Sequence, residues 1–341
     1  MADGEAAPAI TTTVYQSTSR RSGGEKFRDG VSRVFRNYSI LILAAMLFVV
    51  FSILRPETFP TLANLQGIAL GQAVGALLAL AVLLVAVTGE FDLSPGYILG
   101  FSAMLVAVLC VAGVPAPLAI IVGLVAGGIF GFASGFLVAK LGFNSLIATL
   151  GIGLAISGLT AGISGGQTIA TGIPQIIFQI ARFPILGFPM SVWIVLVAAI
   201  AMYIVLAKTS AGRKIYATGG NERVARMVGI RTGQLKIVMF ILAGVVAALA
   251  GVLQLGLSGA ANPGFGSNLL LPAFAAVFLG STTVRPGFFN VWGTMSAVLL
   301  LAVGFSGLSL LGVPFWTQPV FSGVALIVGV LLSRWTKTHK S

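Results

Sequence analysis

The fold of this chain is decided by uncharged stretches such as residues 237–284, which read IVMFILAGVVAALAGVLQLGLSGAANPGFGSNLLLPAFAAVFLGSTTV. This stretch contains no Asp, Glu, Lys or Arg. An α-helix rises 1.5 Å per residue, so a hydrocarbon core of roughly 30 Å needs about 20 apolar residues. The stretch is therefore long enough for two membrane crossings, with a break near residues 258–268.

The other uncharged gaps follow the same rule. One crossing each fits residues 37–54, 58–89 and 183–207, and two each fit 93–139 and 286–333. Residues 141–181 fit one helix and a polar segment, 164–168, that is predicted to be a loop or a re-entrant piece. The sequence therefore predicts an all-α, polytopic membrane protein with about ten transmembrane helices, to within one or two because short and broken helices are common in transporters.

Composition excludes the soluble classes. Of the 341 residues, 57% are hydrophobic and 8% are charged, against roughly 25% charged in soluble domains. The single Cys110 cannot form a disulfide within the chain, and the single His339 argues against a His-ligated metal site. Disordered, collagenous, disulfide-rich and soluble catalytic proteins are excluded.

The basic residues predict the orientation. With the N-terminus cytoplasmic, 18 of the 20 Lys and Arg residues fall on the inside, and only Arg55 and Arg182 fall outside. Seven of the inside residues lie in the loop 208–236. Because this asymmetry explains the formal charge of +12, nucleic acid is not expected as a partner, whereas anionic membrane lipid is.

The predicted organisation has one membrane domain and two tails. Residues 1–36 lack an apolar core, so they are expected to be a cytoplasmic tail rather than a cleaved signal peptide. Residues 37–333 form the transmembrane domain, with a cytoplasmic loop at 208–236, and residues 334–341 form a second cytoplasmic tail.

Glycine recurs at every fourth position in one predicted helix. Such a ladder lines one helix face with residues that let another backbone approach closely. We expect a tight helix-packing role for these residues, which are Gly123, Gly127, Gly131 and Gly135.

Two acidic residues lie between long apolar stretches, in the segment TGEFDLSPG at residues 88–96. A carboxylate near the bilayer is costly and usually faces a partner or a cavity. Ser94 and Pro95 resemble an N-cap followed by the proline favoured at the start of a helix. Three interpretations of Glu90, Asp92 and Ser94 stay open: helix capping, a translocation path or gate, and proton coupling. No companion nucleophile or metal ligand supports an enzyme.

The loop 208–236 is the only sizeable hydrophilic segment inside the predicted bundle. Gly219 and Gly220 predict a turn, Asn221 an N-cap, and Gly229 a stop, which together predict a short helix at about 221–228. A helix of two turns is marginal alone in water, so it needs something to pack against. The segment is therefore either a solvated charged run or a docking element for a partner protein.

The chain contains neither Gly-Lys-Ser nor Gly-Lys-Thr, and hence no P-loop to hold ATP phosphates. If ATP drives this protein, the ATPase is a separate polypeptide. We expect no cofactor on this chain; a partner ATPase would bind ATP and Mg.

Several blocks resemble the permease subunit of bacterial ABC importers of the monosaccharide type, the ribose, xylose, galactose and autoinducer-2 group. GEFDLSPG at residues 89–96 is similar to the family's GGIDLSVG, and LIATLG at 146–151 to its FIATLG block. Residues 212–230 resemble its cytoplasmic coupling loop, and 292–294 and 307–316 its C-terminal region. The chain departs from the family pattern at Glu90, Pro95, Arg285-Pro286 and Phe305-Ser306.

This resemblance implies the vitamin-B12-permease-like type II importer fold in the bacterial inner membrane. It implies a second permease, identical or paralogous, a cytoplasmic ABC ATPase and a periplasmic sugar-binding protein. Nucleoside or branched-chain amino-acid permeases and, from another class, a proton-coupled secondary transporter stay as alternatives. Residues expected to contact the ATPase are Gly212, Gly220, Asn221, Glu222, Ala225, Arg226 and Gly229. Residues expected on the pathway or its gate are Glu90, Asp92, Ser94, Asn144 and Thr149.

Overall fold

The computed structural model describes residues 23–314 and 316–338. Within them the chain is almost entirely helical, with one two-stranded hairpin formed by β1 (Pro184–Ile185) and β2 (Phe188–Pro189). The first 22 residues of the predicted N-terminal tail, and His339, lie outside the described residues. The helices are α1 (Gly23–Leu54), α2 (Leu62–Ala86), α3 (Ser94–Val111), α4 (Ala116–Ala139), α5 (Ser145–Ser164), α6 (Gln175–Arg182), α7 (Met190–Tyr203), α8 (Ser210–Gly220), α9 (Glu222–Met227), α10 (Thr232–Ser258), α11 (Ser267–Gly280), α12 (Val291–Leu310) and α13 (Thr317–Thr338).

Seven helices in the described part are long and apolar enough to cross a membrane: α2, α3, α4, α5, α7 with its π-helical extension to Lys208, α10 and α12. Three shorter apolar segments accompany them, at Tyr38–Leu54, Ser267–Gly280 and Thr317–Leu331. The prediction of a polytopic helical membrane protein is confirmed. Helix α1 starts at Gly23, inside the predicted tail, and its non-helical backbone at Tyr38 separates that part from the apolar segment.

The core is built around α2 and α10. The α2 side chains between Leu77 and Leu83 are at most 1% exposed, and α10 packs against α2, α3 and α4. The predicted glycine ladder lies at these contacts. A Cβ on Gly127 would stand 2.5 Å from the Ala248 Cβ of α10, and one on Gly131 would overlap the Phe240 carbonyl oxygen. Gly135 also faces α10, whereas Gly123 faces Ser102 and Val106 of α3.

The connections between helices gather at two ends of the bundle. We call the end that carries residues 87–93, 140–144, 204–231 and 281–290 the basic end, because Lys140, Lys208 and Arg285 lie there with α8 and α9. At the opposite end the side-chain amide of Gln66 donates to the Gly187 carbonyl, and residues 169 and 261 form a β-bridge. This opposite end carries Arg55 and Arg182.

Candidate functional site

The hydrophilic segment at the basic end folds into two short helices. The Thr209 hydroxyl caps α8 by accepting from the Gly212 amide at 3.2 Å, and the Asn221 side chain caps α9 by accepting from the Val224 amide at 3.2 Å. Helix α9 spans Glu222–Met227, and Gly229 follows it with a φ of +82°. The structure thus has a helix where the caps predicted one. Ala225 is its buried residue.

The turn predicted at Gly219 and Gly220 is wrong. These glycines end α8, and the chain turns at Asn221, where the backbone becomes extended. A Cβ on Gly219 would overlap the Val87 carbonyl oxygen at the end of α2, whereas one on Gly220 would meet no atom within 4 Å. Gly219 is therefore needed for close packing between α8 and the segment after α2, which only the tertiary fold reveals.

A chain of charges joins three separate elements at this end. The Lys236 ammonium of α10 donates to Glu90 at 2.6 Å and to Glu222 of α9 at 2.7 Å. Glu222 also accepts from Arg226 at 2.5 Å and from the buried Thr232 hydroxyl at 3.1 Å. The Lys236 side chain is 8% exposed. Burial of such a charge requires partners, so the two carboxylates hold α9 and the 87–93 segment against α10.

The protonation of Glu222 follows from these contacts. Burial by itself raises the pKa of Glu222, but the hydrogen bonds from Lys236 and Arg226 outweigh it and lower the pKa to about 2. Glu222 is therefore charged at any physiological pH, and the network stays intact there.

Asp92 closes the turn that starts α3. Its Oδ1 accepts from the Ser94 amide at 2.8 Å and from the Ser94 hydroxyl at 2.6 Å, while its buried Oδ2 has no hydrogen-bond partner in the described structure. Burial raises the pKa of Asp92, against these two hydrogen bonds, to about 6. Ser94 is not the N-cap, because Leu93 holds that position without a side-chain cap. These bonds are local and structural, and the gate and proton-coupling interpretations stay predictions.

Side chains of α5 bind the backbone of the segment 87–93. The Thr149 hydroxyl accepts from the Leu93 amide at 3.0 Å, and Ser145 accepts from the Phe91 amide at 3.3 Å. Asn144 caps α5 through the Leu146 amide at 3.0 Å. The predicted pathway residues are thus brought together at the basic end, next to the predicted ATPase-contact residues.

The sequence-based predictions missed two features. One is Lys236, which no local motif connects with Glu90. The other is a cavity of about 520 Å³ at the opposite end, between α2, α10, α11, α12 and α13. Its polar lining includes carboxamides that stand alone in apolar stretches, a signal that the sequence does carry. In residues 23–314 and 316–338, no group of three His, Cys, Asp or Glu could hold a metal ion.

A family model described as branched-chain amino acid transport system / permease component matches residues 64–330. The chain belongs to this permease family. The permease is 34% identical to the ribose import permease protein RbsC of Escherichia coli strain K12 over 297 residues, which cover 86% of this chain and 92% of the relative. No solved structure matches it significantly.

Two further relatives support the same family membership. RbsC of Bacillus subtilis strain 168 is 36% identical over 290 residues, covering 85% of the permease and 90% of the relative. The L-arabinose ABC transporter permease protein AraH of Azospirillum brasilense is 29% identical over 313 residues, covering 92% of each chain. The resemblance to the ribose group is confirmed, and so is the prediction of a transport subunit rather than an enzyme.

Substitutions at Asp92 should separate its hydrogen bonds from its charge. Asp92→Ala removes both bonds to Ser94 and should lower the unfolding free energy by about 1–3 kcal/mol. Asp92→Asn keeps the Oδ1 acceptor without the buried charge, so at pH 7.5 its melting temperature should equal or exceed that of the wild type. Thermal unfolding of the purified permease in detergent measures both, with exposed Glu57→Gln as the control.

The stability advantage of Asp92→Asn should depend on pH with a defined sign. The folded-state pKa of Asp92, about 6, lies above the ordinary value of 3.8, so the charge costs stability above pH 6 and the cost vanishes as the pH falls through this window. The advantage of Asp92→Asn should therefore shrink between pH 7.5 and pH 5. An advantage that grows on acidification would contradict this account.

The coupling between Lys236 and Glu90 can be measured by a double-mutant cycle. Lys236→Met leaves Glu90 without its cation and Glu222 with Arg226 alone, and should cost roughly 3 kcal/mol of unfolding free energy. Adding Glu90→Gln should recover part of that loss, which gives a coupling energy of about 1–3 kcal/mol. Exposed Arg223→Met on α9 is the control of similar size. Strict additivity of the two substitutions would refute the network.

Proposed function

We propose that this chain is the transmembrane subunit of an ATP-binding-cassette importer that carries a monosaccharide across the bacterial inner membrane. The observation that carries the proposal is the similarity to ribose import permeases at 34–36% identity over most of both chains. The L-arabinose ABC transporter permease of Azospirillum brasilense extends the similarity to another sugar. We take the cargo to be a neutral pentose or hexose.

The proposed topology has ten crossings in a vitamin-B12-permease-like fold. The three apolar segments at 38–54, 267–280 and 317–331 cross the membrane in addition to the seven longer helices. This count puts the basic end and both termini in the cytoplasm, which agrees with the distribution of Lys and Arg. It supports a periplasmic binding protein at the opposite end and a second permease, identical or paralogous, beside this one.

Helix α9 is the proposed contact with the ATPase. The side chains of Val224 and Met227 on α9, and of Val228 directly after it, are apolar and mostly exposed, with Met227 at 85%, although they lie in the hydrophilic segment between membrane helices. An exposed apolar face on a two-turn helix is typical of a site that a partner covers. The ATPase, which binds ATP and Mg in this proposal, would cover it.

The ion pairs support a mechanism for transmitting ATPase movement. A shift of α9 is carried through Glu222 to Lys236 on α10 and to Glu90 at the start of the α3 turn. Since α10 packs tightly against α3 and α4, these helices move together and open the pathway to alternate sides.

A second candidate, import of branched-chain amino acids, is favoured by the description of the matching family model. Uptake assays distinguish amino-acid import from sugar import. The permease, co-expressed with the ATPase and binding protein of its own operon, is reconstituted in proteoliposomes and supplied with labelled ribose, L-arabinose or leucine. ATP-dependent uptake of a sugar, insensitive to a protonophore, is expected. Uptake of leucine alone, or transport by the permease without ATP, would refute the proposal.

A matched pair of substitutions tests the docking role of α9. Met227 and Leu186 are both 85% exposed, but Met227 lies on α9 and Leu186 in the hairpin at the opposite end. Met227→Asp should reduce co-purification of the ATPase by about tenfold, because a charge replaces a buried interface side chain. Leu186→Asp should leave it unchanged. Equal effects of the two substitutions would contradict docking at α9.

A further inference from the structure

The cavity at the opposite end has an unusual lining. Five helices enclose about 520 Å³, a volume within the range of roughly 300–1,000 Å³ typical of sites for small molecules. The lining is mostly apolar but includes Ser267, Ser322 and four carboxamides, each of the four on a different helix: Gln72 on α2, Gln254 on α10, Asn268 on α11 and Gln318 on α13.

These carboxamides are available for a ligand. In the part of the chain that the structure describes, no hydrogen bond joins any of the four side-chain amides to another group. A polar group among apolar helices costs free energy unless a partner satisfies it. Gln72, Gln254 and Gln318 are partly buried and Asn268 is exposed, so the three glutamines that converge on one space point to a polar occupant rather than to lipid.

Helix α11 adds a backbone acceptor to the same wall. Pro272 lies inside this helix and has no N–H, so the carbonyl of Asn268, four residues earlier, lacks the usual hydrogen bond from residue 272. Both residues line the cavity. Interrupted membrane helices expose such carbonyls at the substrate sites of transporters.

The chemistry of the lining selects a neutral ligand. Every described lining residue is uncharged, so nothing compensates the charges of an amino-acid zwitterion. Carboxamides donate and accept at once, which matches the dual character of hydroxyl groups. The ring of Phe305 and the side chain of Leu269 provide an apolar surface for the C–H face of a sugar ring.

The cavity is far from the charged network at the other end of the same helix. Gln254 follows Lys236 by 18 residues on α10, which is about 27 Å along the helix axis. From these observations we infer that the cavity between α2 and α10–α13 is a monosaccharide-binding site on the import path, with the four carboxamides as its hydrogen-bonding groups. The inference rests on the proposed function and adds the location of the cargo within a single permease.

A steric test uses two glycines of α2. A Cβ on either Gly67 or Gly71 would meet no atom within 4 Å, so a larger side chain is tolerated at both positions, but only Gly71 lines the cavity. In the reconstituted complex, Gly71→Met should lower ATP-dependent uptake of labelled ribose or L-arabinose at least tenfold. Gly67→Met, one turn earlier, should transport as the wild type does.

A chemical test removes one carboxamide. Gln254→Leu should lower uptake about threefold to tenfold, as expected for one lost hydrogen bond to a hydroxyl. Gln254→Asn, which keeps the amide, should recover part of the loss, and the exposed loop substitution Gln167→Leu should have no effect. Size-exclusion chromatography and basal ATPase activity of each variant check that the complex is folded and assembled.

The possible outcomes are distinguishable. Sugar uptake at the wild-type rate in both Gly71→Met and Gln254→Leu overturns the inference and leaves the proposed function standing. Absence of ribose and L-arabinose uptake in the wild type, with leucine uptake present, overturns both. Loss of the second permease from the variant complexes overturns the inference as well, because the carboxamides would then belong to an interface between copies.

Discussion

The close backbone approach of neighbouring helices along α10 is the constraint on which the rest of this structure depends. Gly244 on α10 faces the Gly127 carbonyl of α4, and Gly251 faces the Leu99 carbonyl of α3. Because lipid tails are as apolar as the side chains, membrane helices associate through such packing rather than through the hydrophobic effect. Tight packing makes α10 a rigid rod whose two ends meet different parts of the molecule.

At the basic end this rod carries Lys236, whose ammonium pairs with two carboxylates. Glu90 and Glu222, far apart in sequence, both reach its ammonium within 2.7 Å. At the opposite end it carries Gln254, which faces the cavity. Helix α9, the proposed docking element, and the proposed sugar site therefore lie at the two ends of α10, an arrangement suited to coupling an ATPase to the opening of a pathway.

Local signals in the sequence predicted much of the basic end. The caps at Asn221 and Gly229 predicted the short helix, because capping depends on residues adjacent in the chain. The turn predicted at Gly219 failed for the opposite reason, since this glycine serves contact with Val87 in another helix. Asn144 and Thr149, chosen through the family resemblance, make local or inter-helix hydrogen bonds that no sequence spacing reveals.

The sequence by itself determined that this is a polytopic helical membrane protein, because the length of an uncharged apolar stretch is a one-dimensional quantity that the bilayer reads directly. Its family was likewise legible in short contiguous blocks. Only the tertiary structure decided which charges pair and which carboxamides converge. Those arrangements join residues distant in sequence, such as Glu90 with Lys236 and Gln72 with Gln318, and their meeting depends on how the helices pack.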